Sequence, residues 1–501
     1  MGMRAARSRL SRAKAWSLLL LTACGSAVPG EEDAGGPRIT PNGATAPSEN
    51  PSKPPAVEVP SDEEPDVTPE VPTGRAWVVS TKGRDGAAGT REAPLRTVSR
   101  AVALASPGDV IQVLSGVYAE EFIFEGRGAD KPSIFVRGEG SPLPTFAPGD
   151  TVRSTVVRVR GRWKLENLRV DVGGQAMTAV LFEEGADGAA LTGSELRSGA
   201  SSAGVVVSGP RGVTLERNHI HHFIKPDRDS HGVVVVGPSR DIVIRDNELH
   251  HNSGDSVQCQ AGSDGRPAVG LRIERNSMHD EGENGVDIKL CEGVLVRGNT
   301  ITGLPNTAIR AAGSSAGEAV VIHLAARNVT VQGNTISRTG RGVSILEDAA
   351  PPENIRVEGN QLDTLRNLPE GNGFGIRVEG GRGVVVVGNT VTGAANYALM
   401  FAADGKAMSG LEVRGNTVRG GAGALLLRLG PEAHRPGLVL RDNRYALGGV
   451  LKGDDVTARL EGAAASVRQQ FSGDRLTLSS ADKLQVWRQV MGVDTGSSVV
   501  E

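Results

Sequence analysis

A repeat of about 28 residues, an asparagine at the same place in each repeat, and two or three short apolar strands per repeat predict an all-β fold, a right-handed parallel β-helix. The gaps between successive asparagines are 29, 29, 23, 35, 26, 29, 27 and 27 residues. Identical amides stacked about 4.8 Å apart can hydrogen-bond along such a solenoid. A propeller or a sandwich would need hairpin turn signals, which are largely missing. The asparagines are Asn218, Asn247, Asn276, Asn299, Asn334, Asn360, Asn389, Asn416 and Asn443.

Residues 1–24 have the layout of an export signal, with the basic segment MGMRAARSRLSRAKAW followed by the apolar SLLLLTACG. The apolar run is too short to span a bilayer as a helix. The end of this segment, LTAC, resembles a bacterial lipobox. That resemblance implies cleavage before Cys24 and lipidation of its thiol, which would attach the protein to a membrane of the cell envelope. Because Gly25 follows the cysteine, we expect the outer membrane or the cell surface.

Residues 25–74 are rich in Pro, Glu, Ser and Gly and predict a disordered tether. The β-helix is predicted over 75–450, with an N-terminal cap that contains a helix over Thr97 to Ala105 and a strand over Val110 to Leu114. The order of Gly-rich turn, PLRT, helix, PGD, strand and GVY resembles the entry of many bacterial β-helix proteins, including polysaccharide lyases of family nine.

Residues 451–501 are predicted to cap the other end of the solenoid. We expect strands around Thr457 and Leu476, and then a helix over SADKLQVWRQVMG that Ser480 and Gly492 delimit.

Composition agrees with a chain of tight turns and small strands, since glycine accounts for 67 residues and aromatic residues for 3%. A formal net charge of −3 gives no electrostatic footprint for nucleic acid. We expect a monomer. Cys259 and Cys291 could form a disulfide, but the register stacks Cys259 on Ile288, so two free buried thiols are favoured.

Three repeats between His219 and Lys289 carry seven of the nine histidines and a dense set of carboxylates. Aligning their post-turn strands predicts an inward stack of Val233, Val257, Val286 and Ile309. The same register places His231, Asp255 and Asn284 above one another with Glu283 beside them. It also predicts two outward columns, one of Val234, Gln258, Asp287 and Arg310 and one of Gln260 and Lys289.

Carboxylates at this density need a cation, and hard oxygen ligands favour calcium. The segments GDSV and ENGVD resemble those with which family-nine pectate lyases bind calcium. The resemblance implies a calcium site and β-elimination of an acidic, uronate-containing polysaccharide. Lys289 and Arg310 are the candidates for the base, with Lys289 ahead because an ammonium loses a proton more readily than a guanidinium. The implied calcium ligands are Asp255, Glu283, Asn284 and Asp287.

The three residues that follow the asparagines at equal distance, His221, His250 and His279, predict a histidine ladder that binds substrate. It could instead be a set of stacked turn residues or hold a transition metal. The other predicted substrate contacts are His231, Gln258 and Gln260.

Two further functions stay open at this point. The segment PDRDSHGVVV, which begins within an inserted loop at 223–230, resembles the Asp-Pro-His-Asp region of β-helix alginate C5-epimerases. A non-catalytic envelope protein that binds glycans is the other alternative, because one fold hosts all of these functions.

Overall fold

The computed structural model describes residues 70–501 apart from 127–130, 226–227, 311–316, 367, 369–372, 403–404 and 432–434. The predicted signal, Cys24 and the tether up to residue 69 lie outside the described residues. The described chain winds into three long sheets of 15, 14 and 14 strands, here called A, B and C. All their ladders are parallel except the last in sheet C, which confirms the predicted parallel β-helix.

Strands are numbered β1 to β43 in chain order, and from β2 to β34 each strand passes to the next sheet in the order A, B, C. Sheet A contains β1 (Ala76–Val79), β2 (Val110–Leu114), β5 (Ile134–Glu139), β8 (Trp163–Glu166), β11 (Ala190–Thr192), β14 (Thr214–Glu216), β17 (Val243–Arg245), β20 (Arg272–Glu274), β23 (Glu292–Arg297), β26 (Arg327–Gln332), β29 (Glu353–Glu358), β32 (Gly381–Val387), β35 (Met408–Ser409), β36 (Glu412–Arg414) and β39 (Val439–Arg441).

Sheet B contains β3 (Val117–Glu120), β6 (Thr145–Pro148), β9 (Arg169–Asp171), β12 (Glu195–Arg197), β15 (His219–His221), β18 (Glu248–His250), β21 (Ser277–His279), β24 (Thr300–Thr302), β27 (Thr335–Ser337), β30 (Gln361–Leu365), β33 (Thr390–Ala394), β37 (Thr417–Arg419), β40 (Arg444–Ala446) and β43 (Ser498–Val500).

Sheet C contains β4 (Phe122–Glu125), β7 (Thr155–Arg160), β10 (Thr178–Phe182), β13 (Ala203–Ser208), β16 (His231–Val236), β19 (Val257–Gln260), β22 (Val286–Lys289), β25 (Glu318–His323), β28 (Arg341–Ile345), β31 (Phe374–Val378), β34 (Leu399–Phe401), β38 (Leu425–Leu429), β41 (Val450–Gly453) and β42 (Arg475–Thr477).

The asparagine series forms one continuous buried ladder between sheets A and B. Each asparagine but the last donates from its backbone N and its Nδ2 to the Oδ1 of the asparagine one coil further on, at 2.9–3.0 Å. Ser194 donates to Asn218 at one end, and Asn443 donates to Ser497 at the other. The ladder therefore satisfies polar groups that would otherwise be buried without partners.

Both ends of the solenoid carry helices. Helix α1 (Val98–Leu104) begins after Thr97, whose side chain accepts a hydrogen bond from the backbone N of Arg100, and it buries Val98 and Ala101. The N-terminal prediction is correct to within a residue at each end. Just before the first coil, Glu70 accepts hydrogen bonds from Ser133, so the last residues of the predicted tether contact the solenoid.

The C-terminal cap contains α2 (Val456–Leu460), α3 (Ala465–Arg468) and α4 (Ala481–Met491). The expected strand around Thr457 is wrong, because α2 occupies that position and buries Val456 and Leu460. The expected strand at Leu476 is present as β42. The predicted C-terminal helix is α4, which ends at Gly492 in a left-handed conformation. Among the residues described, no helix has the length and apolar character needed to cross a membrane.

Candidate functional site

The predicted register is correct for the three central rungs of sheet C. Val233 pairs with Val257 and Val257 with Val286, all fully buried, so the residues that alternate with them face outward. Gln258 stands beside Asp287, as expected. These outward residues, together with the turns that precede each strand, form the surface that is called the sheet C site below.

The fourth rung differs from the prediction. Val320 follows Val286 in the inward stack and Val321 follows Asp287, so Ile309 and Arg310 are not members of these columns. The coil that ends at Asn334 contains the longest gap, 35 residues, and its extra residues precede the strand. Arg310 therefore lies in the connecting segment before β25, and the residue that pairs with Lys289 is His323.

Asp255 and Asn284 form a short polar ladder of their own. Asp255 is fully buried, and its Oδ1 accepts hydrogen bonds from the backbone N (3.1 Å) and the Nδ2 (2.9 Å) of Asn284. The Oδ1 of Asn284 accepts in turn from the backbone N of Glu318 at 2.9 Å. These side chains thus stabilise the turn between sheets B and C over three coils.

The second oxygen of Asp255 belongs to a separate group. Its Oδ2 accepts from Gln258 Nε2 at 3.0 Å and lies 3.1 Å from His231 Nδ1. Ligand atoms of His231, Asp255 and Glu283 all lie within 4.8 Å of one another. The structure therefore places these three predicted residues together, with Gln258 in direct contact. Gln260, two residues further on, is half-buried on the same strand.

Asp287 joins two cations. One oxygen lies 2.8 Å from the ammonium of Lys289, and the other lies 2.9 Å from Nε2 of His323. Burial disfavours the charged form of Asp287, but Lys289 and His323 outweigh that cost and lower the pKa of this carboxyl to about 2. Asp287 is therefore ionised throughout the physiological range.

Contact with Asp287 also raises the pKa values of Lys289 and His323. Burial opposes protonation of Lys289, but Asp287 and Asp255 outweigh it and raise the pKa of the ammonium above its usual value. His323 also contacts Asp348 through Nδ1 at 2.6 Å, and these two hydrogen bonds raise its pKa to about 9 against the effect of burial. Both side chains are positively charged at neutral pH.

Asp229 is a site residue that the sequence analysis did not single out. Burial raises the pKa of its carboxyl; His231 opposes this shift and Asp255 adds to it, which places Asp229 beside the predicted residues. It lies in the inserted loop at 223–230, and the presence of that insertion was the sequence feature that could have pointed to it. His323 and Asp348 were also missed, because they lie far along the chain, beyond the long gap.

Glu281 is a fully buried carboxyl in the same turn. It accepts hydrogen bonds from the backbone N and the Nδ2 of Asn252 and from Ser256 Oγ. Burial raises its pKa to about 8, so it is largely neutral at pH 7. Because it is enclosed beneath the turn, we assign it a structural role.

The predicted stacking of the histidine ladder is confirmed, and the ladder lies on sheet B rather than sheet C. His221 pairs with His250 and His250 with His279, and the ring centroids of these pairs are 5.1 and 4.8 Å apart. Burial and neighbouring histidines lower the pKa of His221 to about 4 and that of His250 to about 3. These two rings are therefore neutral at pH 7.

The expectation of two free thiols is wrong. Cys259 does stack on Ile288, as the register requires, but Cys291 is bonded to Cys259 with their Cα atoms 6.4 Å apart. Leu290 adopts a left-handed conformation with φ 51°, and this turn redirects the chain after β22. Strand register predicts the positions of residues within the strands only. Cys291 follows the turn after β22, so its position could not be predicted from the register.

Predicted calcium ligands already have partners within the protein: both oxygens of Asp255, Oδ1 of Asn284 and both oxygens of Asp287 accept hydrogen bonds or ion pairs. The ligand atoms of Asp255 and Glu283 lie within 4.8 Å of each other and of His231, and carboxylate oxygens suit a hard cation. Calcium ligation by Asp255, Glu283, Asn284 and Asp287 therefore stays a prediction.

The three parallel sheets and their asparagine ladder define a β-helix protein. The family model described as right handed beta helix region matches residues 160–322 and 317–418, together more than half of the chain. The protein belongs to this family. A second model, described as protein of unknown function (DUF1565), matches residues 81–123. No curated protein matches the chain.

Solved structures share the fold at low identity. PfbA, a surface adhesin of Streptococcus pneumoniae, is 10% identical with a TM-score of 0.50, over 79% of this chain and 94% of its own. An alginate lyase from Paenibacillus sp. is 17% identical with a TM-score of 0.41, over 64% and 98%. A lacto-N-biosidase from Eubacterium ramulus is 12% identical with a TM-score of 0.44, over 74% of this chain but only 64% of its own length.

Proposed function

We propose that the sheet C site binds an acidic polysaccharide and cleaves it by β-elimination beside a uronate. The observation that carries the proposal is the pair of cations that Asp287 holds on one outward face, Lys289 at 2.8 Å and His323 at 2.9 Å. Each of these two cations can pair with a uronate carboxylate of the substrate.

Elimination removes the proton from C5 of the uronate, forms the C4–C5 double bond and breaks the bond from C4 to the glycosidic oxygen, which takes up a proton from solvent and leaves as a hydroxyl. Charge accumulates on the carboxylate as the proton leaves, so Lys289 and His323 would stabilise the transition state. Lys289 was the predicted base, but its raised pKa favours this neutralising role instead. Asp229, whose carboxyl has a raised pKa, is the stronger candidate for accepting the proton.

The proposal also includes a calcium ion, which would neutralise negative charge on the substrate. Asp255 and Glu283 would hold the ion, and when bound it would supply positive charge to the substrate carboxylate. The substrate contacts predicted for Gln258 and Gln260 are also part of the proposal. From the sequence we also propose a membrane anchor at Cys24, a location in the cell envelope, a monomeric state and partners that do not include nucleic acid.

The test incubates the purified protein with polygalacturonate, alginate and glycosaminoglycans, with calcium or with a chelator. Ultraviolet absorbance reports the unsaturated uronate, and a reducing-end assay reports any cleavage. We expect both signals on at least one polymer, lost in Lys289→Ala and kept in Arg382→Ala, an exposed arginine on sheet A. Reducing ends without absorbance would favour hydrolysis, and neither signal on any polymer would refute cleavage of these substrates.

A further inference from the structure

Six histidines gather on and beside the strands β15, β18 and β21 of sheet B, whereas the proposed lyase residues lie on sheet C and in the turns around it. Three groups of possible metal ligands occur here. Within each group the ligand atoms lie within 4.8 Å of one another, and each group contains at least one ladder histidine. The first of these groups consists of His219, His221 and His250. It is rich in imidazole, whereas the sheet C site is rich in carboxylates, so the two would select different ions.

The ring nitrogens of this group converge on one point. His219 Nε2 and His250 Nε2 are only 2.6 Å apart, and two lone pairs at that distance repel unless a proton or a cation lies between them. The second nitrogen of His250, Nδ1, is 2.8 Å from His251 Nδ1 and is therefore already engaged. Such a contact to the far nitrogen is what orients a metal-binding imidazole.

His221 has the same arrangement, and one of its ring nitrogens also lacks a hydrogen-bond partner. Its Nδ1 lies 2.7 Å from His222 Nδ1, while its buried Nε2 has no hydrogen-bond partner. Glu195 comes within 3.5 Å of that nitrogen without forming a hydrogen bond. A buried imidazole nitrogen without a partner costs free energy, and a bound cation would remove that cost.

A carboxylate and an open side complete the group. Glu248 Oε2 lies 4.0 Å from His219 Nε2, and the side chains of these two residues are 52% and 41% exposed. An ion could therefore enter from solvent, and a fourth ligand is at hand. Tetrahedral zinc bound at about 2.0–2.1 Å needs nitrogen atoms roughly 3.3 Å apart, a small adjustment of these rings.

We propose that His219, His221 and His250, with Glu248 beside them, form a binding site for one transition metal ion of the Zn²⁺ type. The ladder position predicted for substrate thus holds a metal, and the site works independently of the proposed lyase function. Thr302, which follows His279 in the same column, offers a matched control because it lies next to the ladder and carries no imidazole.

The experiment uses the full chain without a polyhistidine tag, stripped with a chelator and titrated calorimetrically with Zn²⁺. We expect one ion per chain, at least tenfold weaker binding in His221→Gln and His250→Gln, and unchanged binding in Thr302→Ala. Co²⁺ should give the intense visible bands of a tetrahedral nitrogen site in the wild type, and His221→Gln should lose them. Circular dichroism checks that each variant is folded.

Unchanged Zn²⁺ affinity in folded His221→Gln would overturn the proposal, as would Ca²⁺ competing equally with Zn²⁺ for the site. A loss only in His279→Gln would place the ion in the neighbouring group of Glu248, His250 and His279 and would also refute the assignment. None of these readouts uses cleavage of a polysaccharide, so failure of the lyase proposal leaves them intact.

Discussion

Asp287 is the residue on which the charge of the sheet C site depends. It is 4% exposed, and its two oxygens are shared between Lys289 and His323. A buried carboxylate is stable only when such partners compensate its desolvation. The same three residues therefore supply the charge that a polyanion would meet and part of the stability of the coils that carry them.

The positions of Asp287 and Lys289 could be predicted from the sequence, because they lie on a strand in which inward and outward residues alternate regularly. It could not place His323, which reaches Lys289 only after the long segment before β25. The same segment made Arg310 look like the next member of the column. An insertion of unknown path breaks register arguments, because a strand carries no mark of how many residues precede it.

His323 predicts a pH dependence of stability. Its pKa is about 9 in the folded protein against an ordinary value of 6.5, so its contribution is fully present below pH 6.5 and is lost as the pH rises through 9. We expect the free energy of unfolding to fall by roughly 2 kcal/mol between pH 6.5 and 9.5. Denaturant titrations at both pH values measure it.

The matched variant is His323→Gln, which can keep a hydrogen bond to Asp287 but cannot titrate. It should be less stable than the wild type at pH 6.5 and should lose most of the difference between the two pH values. An equal pH dependence in both proteins would show that other groups are responsible.

Among the elements, the asparagine ladder is the one that the sequence predicts most completely. Its spacing is visible in the letters, and its function follows from the geometry of stacked amides. The disulfide could not be predicted in the same way, because Cys291 lies beyond a turn. The caps fall between these cases: α1 and α4 follow from capping residues and amphipathic pattern, whereas α2 replaces an expected strand.

Asn360 provides a test of the ladder. Its side chain donates to Val331 O and to Asn389 Oδ1 and accepts from Asn334, and the residue is fully buried. We expect Asn360→Ala to lower the free energy of unfolding by about 2–4 kcal/mol, because it leaves several buried polar groups without partners. The adjacent, exposed Gln361→Ala should change stability by less than about 0.5 kcal/mol. Equal effects in the two variants would contradict the account.

The disulfide predicts a separate loss of stability. It closes a loop of 32 residues, for which the chain-entropy model gives about 3–4 kcal/mol. We expect the double variant Cys259→Ala with Cys291→Ala to unfold at a lower denaturant concentration than the wild type. Reductant should lower the wild-type midpoint and leave that of the double variant unchanged. A wild type that is insensitive to reductant under unfolding conditions would contradict the bond.

For the whole molecule, one continuous core runs from the first coil to the C-terminal cap, with Trp487 of α4 fully buried at its end. A solenoid transmits little strain between distant coils, because each coil contacts mainly its neighbours. It therefore can carry two chemically different sites on adjacent sheets. The period, the repeated asparagine and the short apolar strands were together enough to predict the architecture. The return of β43 to sheet B could not be predicted, because the tail lacks the repeat.

The central claim is that the outward face around Lys289 and Asp287 receives an acidic polysaccharide. Calorimetric titration of uronate oligosaccharides into the wild type, Lys289→Ala and Arg382→Ala tests it most directly. We predict binding that weakens at least tenfold in Lys289→Ala and is unchanged in Arg382→Ala. Equal affinity in all three proteins would contradict the account and place the ligand elsewhere on the solenoid.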